Sequence, residues 1–248
     1  MTPKQPSLVK QIQVRTITPQ RGNLFIRQHH YSGKVVPNSQ VHFGAFLDNQ
    51  LHGVLQFGPS MDKRKTMALV RDTGWNEFIE LNRLAFDDKL PRNSESRVIA
   101  ICLRLLKKKA PHLKWVVSFA DATQCGDGTI YRASGFVLTN IKKNTGLLLL
   151  PDGTVGVLMT YTKSNHILNN NGAAKPPAGS KPLPGYQLRY IFFFDRESRQ
   201  KLTCPIIPFS DINRVGASMY KGMRGKRSSD AAGFQPAEDG AEPITTHQ

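Results

Sequence analysis

Alternating apolar and polar positions over residues 11–17 predict a short first strand. Pro19 then opens a helical stretch to residue 28, and residues 29–40, with Gly33 and Pro37, read as a loop. Two strands, 41–47 and 51–57, flank Asp48-Asn49-Gln50 and predict a hairpin. Residues 61–74 are polar and basic and read as a second loop, after which 77–86 returns to a strand pattern. The strongest helix follows. Asn93 or Ser94 can cap it, Val98, Ile99, Ile101, Cys102, Leu105 and Leu106 form its apolar side, and Lys107–Lys109 oppose the dipole at its end. Residues 115–120 predict a short buried strand, 129–134 a short helix ended by Gly135, and 136–141 another strand. Pro151-Asp152-Gly153 marks a turn between strands 147–150 and 155–160. Residues 187–194 form the last strand pattern. This order predicts an α+β fold with a mixed, mostly antiparallel sheet flanked by helices.

The domain organisation follows from composition. Residues 1–220 read as one domain, interrupted by a flexible Pro/Gly/Asn-rich loop at about 164–185. Residues 221–248 read as a disordered tail, first basic and then acidic. No apolar run is long enough to cross a bilayer, and residues 1–10 lack an apolar signal core. No membrane partner and a cytoplasmic location are therefore expected. Three widely spaced cysteines exclude a disulfide framework and a Cys-x-x-Cys zinc site.

Charge changes the picture most. The chain carries 34 Lys and Arg against 18 Asp and Glu, a net +16. Residues 228–248 hold four acids and no Lys or Arg, so the folded part is more basic still. A polyanionic partner, most simply nucleic acid, is the expectation, with a protein kept soluble by its charge or one serving a phosphorylated cofactor as the alternatives. No Gly-x-Gly-x-x-Gly opens a helix, which argues against a methyltransferase of the nucleotide-fold kind.

Four segments can carry chemistry. At the helix start, Arg92, Ser94, Ser96 and Arg97 surround free backbone N–H groups and suit phosphate, or simply cap the helix. Asp121 ends an apolar strand, where a carboxylate can face a ligand, and Tyr131-x-x-x-Gly135-Phe136 follows it. His30 and Tyr31 lie in a loop where a metal, a general base or plain solvation are all open readings. Phe43, Phe57, Trp75 and Tyr131 are the aromatics able to stack a base, with core packing as the alternative for most. Cys125 reads as a bystander thiol, and His42 and His52 as structural or solvent-facing.

The element order resembles that of the Gcn5-related N-acetyltransferase (GNAT) class. Within it, His30-Tyr31-Ser32-Gly33, Phe78-Ile-Glu80-Leu-Asn82-Arg83-Leu, Pro91 to Arg97, and Ser118-Phe-Ala-Asp121 to Phe136 together resemble the Mom family of phage DNA modification proteins. The resemblance covers roughly residues 29–141. It implies a GNAT-like fold, double-stranded DNA as the partner, and conversion of the N6 amine of DNA adenine to a carbamoylmethyl (acetamido) derivative, which shields phage DNA from host restriction enzymes. It implies Asp121, Tyr131, His30 and Tyr31 as the reacting cluster, with Asp121 taking the amine proton. It implies iron on His30, Tyr31 and Asp121, and acetyl-CoA or a related donor on Arg83, Arg92, Ser94, Ser96 and Arg97. The glycines of the GNAT phosphate loop are absent after Arg92. By resemblance the chain is phage- or prophage-encoded and works in the host cytoplasm, with a homodimer as the candidate assembly. The competing reading is a GNAT acetyltransferase acting with acetyl-CoA on a protein or small amine.

Overall fold

The computed structural model describes residues 8–162, 175–220 and 222–224. Residues 164–174 of the expected loop at 164–185 and nearly all of the expected tail lie outside the described residues. In chain order the elements are α1 (Leu8–Gln11), β1 (Gln13–Thr16), α2 (Pro19–His29), β2 (Val41–Leu47), β3 (Gln50–Gly58), α3 (Lys63–Met67), β4 (Phe78–Phe86), α4 (Ser94–Lys109), β5 (Trp115–Asp121) and α5 (Thr129–Ala133). They continue as β6 (Val137–Asn144), β7 (Leu147–Leu149), β8 (Val155–Val157), α6 (Leu158–Thr162), β9 (Lys181–Pro182), β10 (Gly185–Phe193), α7 (Arg196–Gln200), α8 (Ser210–Arg214), β11 (Met219–Tyr220) and β12 (Met223–Arg224).

Seven strands form the main sheet in the order β1-β2-β3-β4-β5-β10-β6. Only β4 and β5 run parallel; their neighbours pair antiparallel. This is the mixed, mostly antiparallel α+β architecture expected from the sequence. The parallel pairing stops at Leu81 and Ser118. Beyond it β4 continues with β3 as far as Phe86, and β5 continues with β10 as far as Asp121. The two strands therefore separate and leave a gap in the middle of the sheet. Ser118 Oγ donates to Leu81 O at 3.3 Å just where they part.

Helix α4 supplies the crossover between the parallel strands. It buries Val98, Ile99, Cys102, Leu103 and Leu106 in a core shared with Leu55, Leu81, Val116, Leu138, Leu188 and Tyr190. Each fully buried aliphatic side chain contributes roughly 1.5–3 kcal/mol, so this face anchors the domain. On the opposite face, α2 buries Phe25 and Ile26 against Val54 and Ala85. Thr18 caps α2 by accepting from Arg21 N at 3.4 Å, and Pro19 occupies the first turn. A third cluster lies below the gap. Phe78 and Trp115 stack at 4.4 Å, and Trp115 Nε1 donates to Thr73 Oγ1 at 3.1 Å.

Several expectations are corrected. The α4 cap is not the usual side-chain cap: Asn93 sits at φ 70° with no cap hydrogen bond, and the Ser94 hydroxyl donates to Pro91 O. The basic loop at 61–74 contains α3, started by Asp62 accepting from Lys65 N at 3.1 Å. The strand expected over 155–160 ends at Val157 and turns into α6. Within the loop expected at 164–185, Lys181–Pro182 pairs with β7. Within the tail expected from 221, Met223–Arg224 pairs with Met219–Tyr220. Of the two readings for His42 and His52 the structural one holds, both being buried: Gln56 Nε2 lies 3.1 Å from His42 Nδ1, and His52 Nδ1 lies 2.8 Å from Asp87 Oδ2. Phe43 and Phe57 are core residues.

Candidate active site at the strand gap

Pleating sends neighbouring residues of β4 and β5 to opposite sheet faces. Val116, Ser118 and Ala120 face α4, so Asp121 ends β5 on the α2 side together with Phe119. Glu80 on β4 shares that face with Phe78, opposite Ile79 and Leu81. The loop after α2 reaches the same place. There His30 O accepts from Gly33 N at 2.8 Å, with Gly33 at φ 60°, and this tight turn presents His30 and Tyr31. Tyr131, on α5, comes from the α4 side and is buried, hydrogen-bonded to Ser118 at the gap. One set of polar groups thus meets from both faces of the sheet through the opening between β4 and β5.

The interactions within this set are specific. Tyr31 is half-exposed as a residue, but its hydroxyl turns inward and donates to the Asp121 carboxylate. Desolvation first, then the Asp121 charge and hydrogen bond, push the Tyr31 phenol far above its ordinary range. Asp121 also accepts from Thr123 N at 2.9 Å and Gln124 Nε2 at 2.8 Å. His30 Nδ1 lies 2.8 Å from Ser32 Oγ, and its ring is 4.4 Å from that of Tyr31. Burial, reinforced by the Arg83 charge and opposed by Asp121, lowers the His30 pKa to about 4, so the imidazole is neutral near pH 7. Burial raises the Tyr131 pKa to about 12, which keeps its phenol protonated.

Two residues that the sequence reading left without a role stand in the cluster. Glu80 is hydrogen-bonded to Ser60 and Asn82 and lies near Arg83. Desolvation outweighs these partners and raises its pKa. An acid at an inward position between Ile79 and Leu81 was the signal for it. Cys125 lies at the rim, close enough to Asp121, Tyr31 and Tyr131 to feel their charges; burial and Asp121 raise its pKa, so it is a thiol rather than a thiolate.

The residues expected to hold a donor phosphate separate into two groups. Arg83 stands in the reacting cluster, donating to Lys34 O and Asn82 O at 2.8 Å each and interacting with Tyr31 and Glu80. Arg92, Ser94, Ser96 and Arg97 remain together at the start of α4. There the Ser94 and Ser96 hydroxyls donate to Pro91 O and Asn93 O, so the two arginines are the groups left to meet an anion. Arg97 Nε is buried without a hydrogen-bond partner. Among the described residues no three His, Cys, Asp or Glu side chains are grouped to hold a metal. The iron expectation therefore needs Tyr31 as a donor beside His30 and Asp121. Among the described residues no helix is long and apolar enough to cross a membrane.

Gly128 holds Tyr131 in place. It precedes α5 at φ 83°, and a Cβ there would meet the Tyr190 ring at 2.5 Å and Tyr131 at 3.0 Å. Gly128→Ala is expected to destabilise the domain by about 2–4 kcal/mol, from left-handed strain plus a clash with a buried ring. Urea unfolding measures this, and an unchanged midpoint would contradict the packing described.

The strand and helix arrangement has distant likenesses among solved structures. An acetyltransferase of Bacillus subtilis solved with CoA is 10% identical with a TM-score of 0.43, over 75% of this chain and 99% of that one. The ribosomal-protein-S18-alanine N-acetyltransferase of Escherichia coli is 10% identical with a TM-score of 0.42, over 74% and 94%. Likeness at this level says nothing of what this chain binds. A curated relative, the methylcarbamoylase mom of Escherichia phage Mu, is 39% identical over 128 residues. The match takes in 51% of this chain and 53% of the relative, so the chain spans about half the length of the curated relative it matches. The model of the Mom protein family matches residues 11–211, a span holding every side chain of the gap cluster; the chain belongs to the Mom protein family.

Proposed function

We propose that this protein is a DNA adenine-modifying transferase, and that it places a carbamoylmethyl group on the N6 amine of adenine at the gap between β4 and β5. The observation that carries this reading is the pairing of a desolvated Glu80 with Arg83 and a buried, protonated Tyr131 across that gap. The net charge of +16 and the relative named as a methylcarbamoylase agree with it.

An exocyclic amine attacks only as its proton leaves, so the site needs a base beside the nucleophile. Two carboxylates stand there in unlike surroundings. Asp121 is committed to three donors, whereas Glu80 is made more basic by burial. Glu80 therefore takes the amine proton, and Asp121 fixes Tyr31. As the new bond from N6 to the transferred carbon forms, the bond from that carbon to its leaving group breaks. Tyr131 hands its proton to the departing group. Arg83 offsets negative charge that develops between them. A carbamoylmethyl product needs a donor whose methylene carries the leaving group with the amide already in place, since a thioester acyl group would give an N6-acyl adenine; Arg92 and Arg97, at the positive end of α4, are the residues that would hold phosphates on such a donor.

The residues also fit the iron implied by the family resemblance. Tyr31 and Asp121 offer oxygen donors, whereas His30 Nδ1 accepts from Ser32 N at 3.2 Å, which leaves the proton of the neutral ring on Nε2, so His30 would join them only after a tautomer shift. Iron bound there supplies a Lewis acid. Protein purified with iron is expected to show a visible phenolate-to-iron absorption that Tyr31→Phe removes. A band that survives in Tyr31→Phe would exclude Tyr31 as a ligand.

Such a mark would protect phage DNA from host restriction in the cytoplasm. The test is DNA from cells expressing the protein: resistance to restriction enzymes whose sites contain adenine, with a new adenine-derived nucleoside. Sensitive, unmodified DNA with an acetylated protein or small amine would favour the acetyltransferase reading instead.

A further inference from the structure

The turn between β3 and α3 holds one apolar side chain entirely in solvent. Met61 is 99% exposed. A lone exposed methionine is ordinary on a protein surface. Its setting distinguishes this one, because the turn is fixed on both sides. Pro59 O accepts from Asn82 Nδ2 at 3.5 Å, and the Ser60 hydroxyl bonds both Thr66 Oγ1, at 2.9 Å, and Glu80. On the far side Asp62 caps α3. Met61 is therefore a rigid projection whose neighbour in sequence touches the proposed base.

Its footing is positively charged. Lys63, Arg64 and Lys65 follow directly. Lys63 Nζ lies 4.4 Å from the ring centroid of Trp75, itself half-exposed, and so is held at the surface. An apolar tip on a cationic base, next to a reacting carboxylate, suits one partner chemistry: a nucleic acid duplex whose phosphates flank an opened base stack. The N6 amine cannot reach Glu80 while adenine remains stacked and paired, so the base must leave the helix, and the vacated space must be filled or it closes.

We propose that Met61 is a wedge that enters the base stack of duplex DNA as the target adenine turns out toward Glu80, with Lys63, Arg64 and Lys65 on the adjoining phosphates. This deepens the adenine-modification reading and rests on it. The wedge acts through apolar bulk and makes no contact with the reacting atoms. Met61 is a positioning residue.

The test compares the fraction of modified adenine in DNA from cells expressing wild type, Met61→Ala and Met61→Leu at equal soluble protein. Both changes sit on an exposed side chain and leave the fold intact. Extrusion costs a few kcal/mol, so Met61→Ala is expected to lose about tenfold or more of the modification rate, while Met61→Leu stays within about threefold of wild type. The purified proteins add a second reading. On a duplex carrying 2-aminopurine, wild type and Met61→Leu are expected to raise the fluorescence of the unstacked base, and Met61→Ala to bind without raising it. Full modification by Met61→Ala overturns the wedge, as does a Leu variant as inactive as the Ala variant. Absence of modified adenine with wild type itself is the separate outcome that overturns the DNA reading and the wedge with it.

Discussion

Glu80→Gln is expected to lower the modification rate by roughly 10²- to 10⁴-fold, the range general bases contribute. The substitution keeps the shape of the side chain and its bonds to Ser60 and Asn82, so the strand and the neighbouring turn stay in place. What disappears is a proton acceptor made basic by burial. The direction of that shift also fixes the pH dependence. Glu80 acts as the carboxylate, and its pKa in the fold is raised above the ordinary value of 4.5. Wild-type activity is therefore lost as pH falls through that raised value, at a higher pH than an exposed glutamate would give. The small residual activity of Glu80→Gln should be flat over the same interval. His30 adds no step near its ordinary value of 6.5, because its pKa is lowered to about 4. A Gln variant as fast as wild type would remove Glu80 from the chemistry.

Asp121→Asn is expected to reduce modification by at least about 10²-fold for a different reason, namely loss of position. The amide oxygen can still accept from Thr123 N, so β5 should end as before. Tyr31 loses the anion that receives its hydroxyl, in a region where an unpaired polar group is costly. The cluster also loses the negative charge facing His30. The distinguishing readout is the pH profile. Asp121→Asn should keep the pH-dependent limb assigned to Glu80 at a reduced rate, whereas Glu80→Gln should lose it. Iron content should fall in Asp121→Asn and stay unchanged in Glu80→Gln.

The local signals in the sequence were strong where local forces decide structure. The first hairpin turns at Asp48 and Asn49, both at positive φ, as short polar residues there allow. The Lys107–Lys109 run does close α4. What local patterning could not reveal is the insertion of β10 between β5 and β6. That pairing joins residues far apart in the chain and depends on which edge of β5 remains open. The short helices α7 and α8, the α3 turn and the β11–β12 hairpin carry too few apolar positions to show a period. The cap at Asn93 defied expectation because the left-handed backbone leaves its side chain without a capping bond.

The site was legible in part for the same reason. His30, Tyr31, Asp121 and Tyr131 could be singled out only as short motifs, and the structure places them around one gap. Glu80 was hidden in a strand of mixed apolar and polar residues. Its importance depends on burial and on Arg83 three residues on, neither of which composition reports. Arg83 itself was grouped with the helix-start residues by the family resemblance. The register shift of β4 opposite Gln56 and Phe57 breaks the pleat's alternation there, and Arg83 bonds Lys34 O beside the carboxylates instead. Met61 looked like one more polar-loop residue until its turn was seen fixed to β4.

The most direct test of the central claim is mass spectrometry of nucleosides from DNA of cells expressing wild type or Glu80→Gln at matched soluble levels. The gap-centred transferase predicts a deoxyadenosine carrying a carbamoylmethyl group with wild type and its near absence with the variant. Unmodified adenine with folded wild type, or equal modification with both proteins, would contradict it.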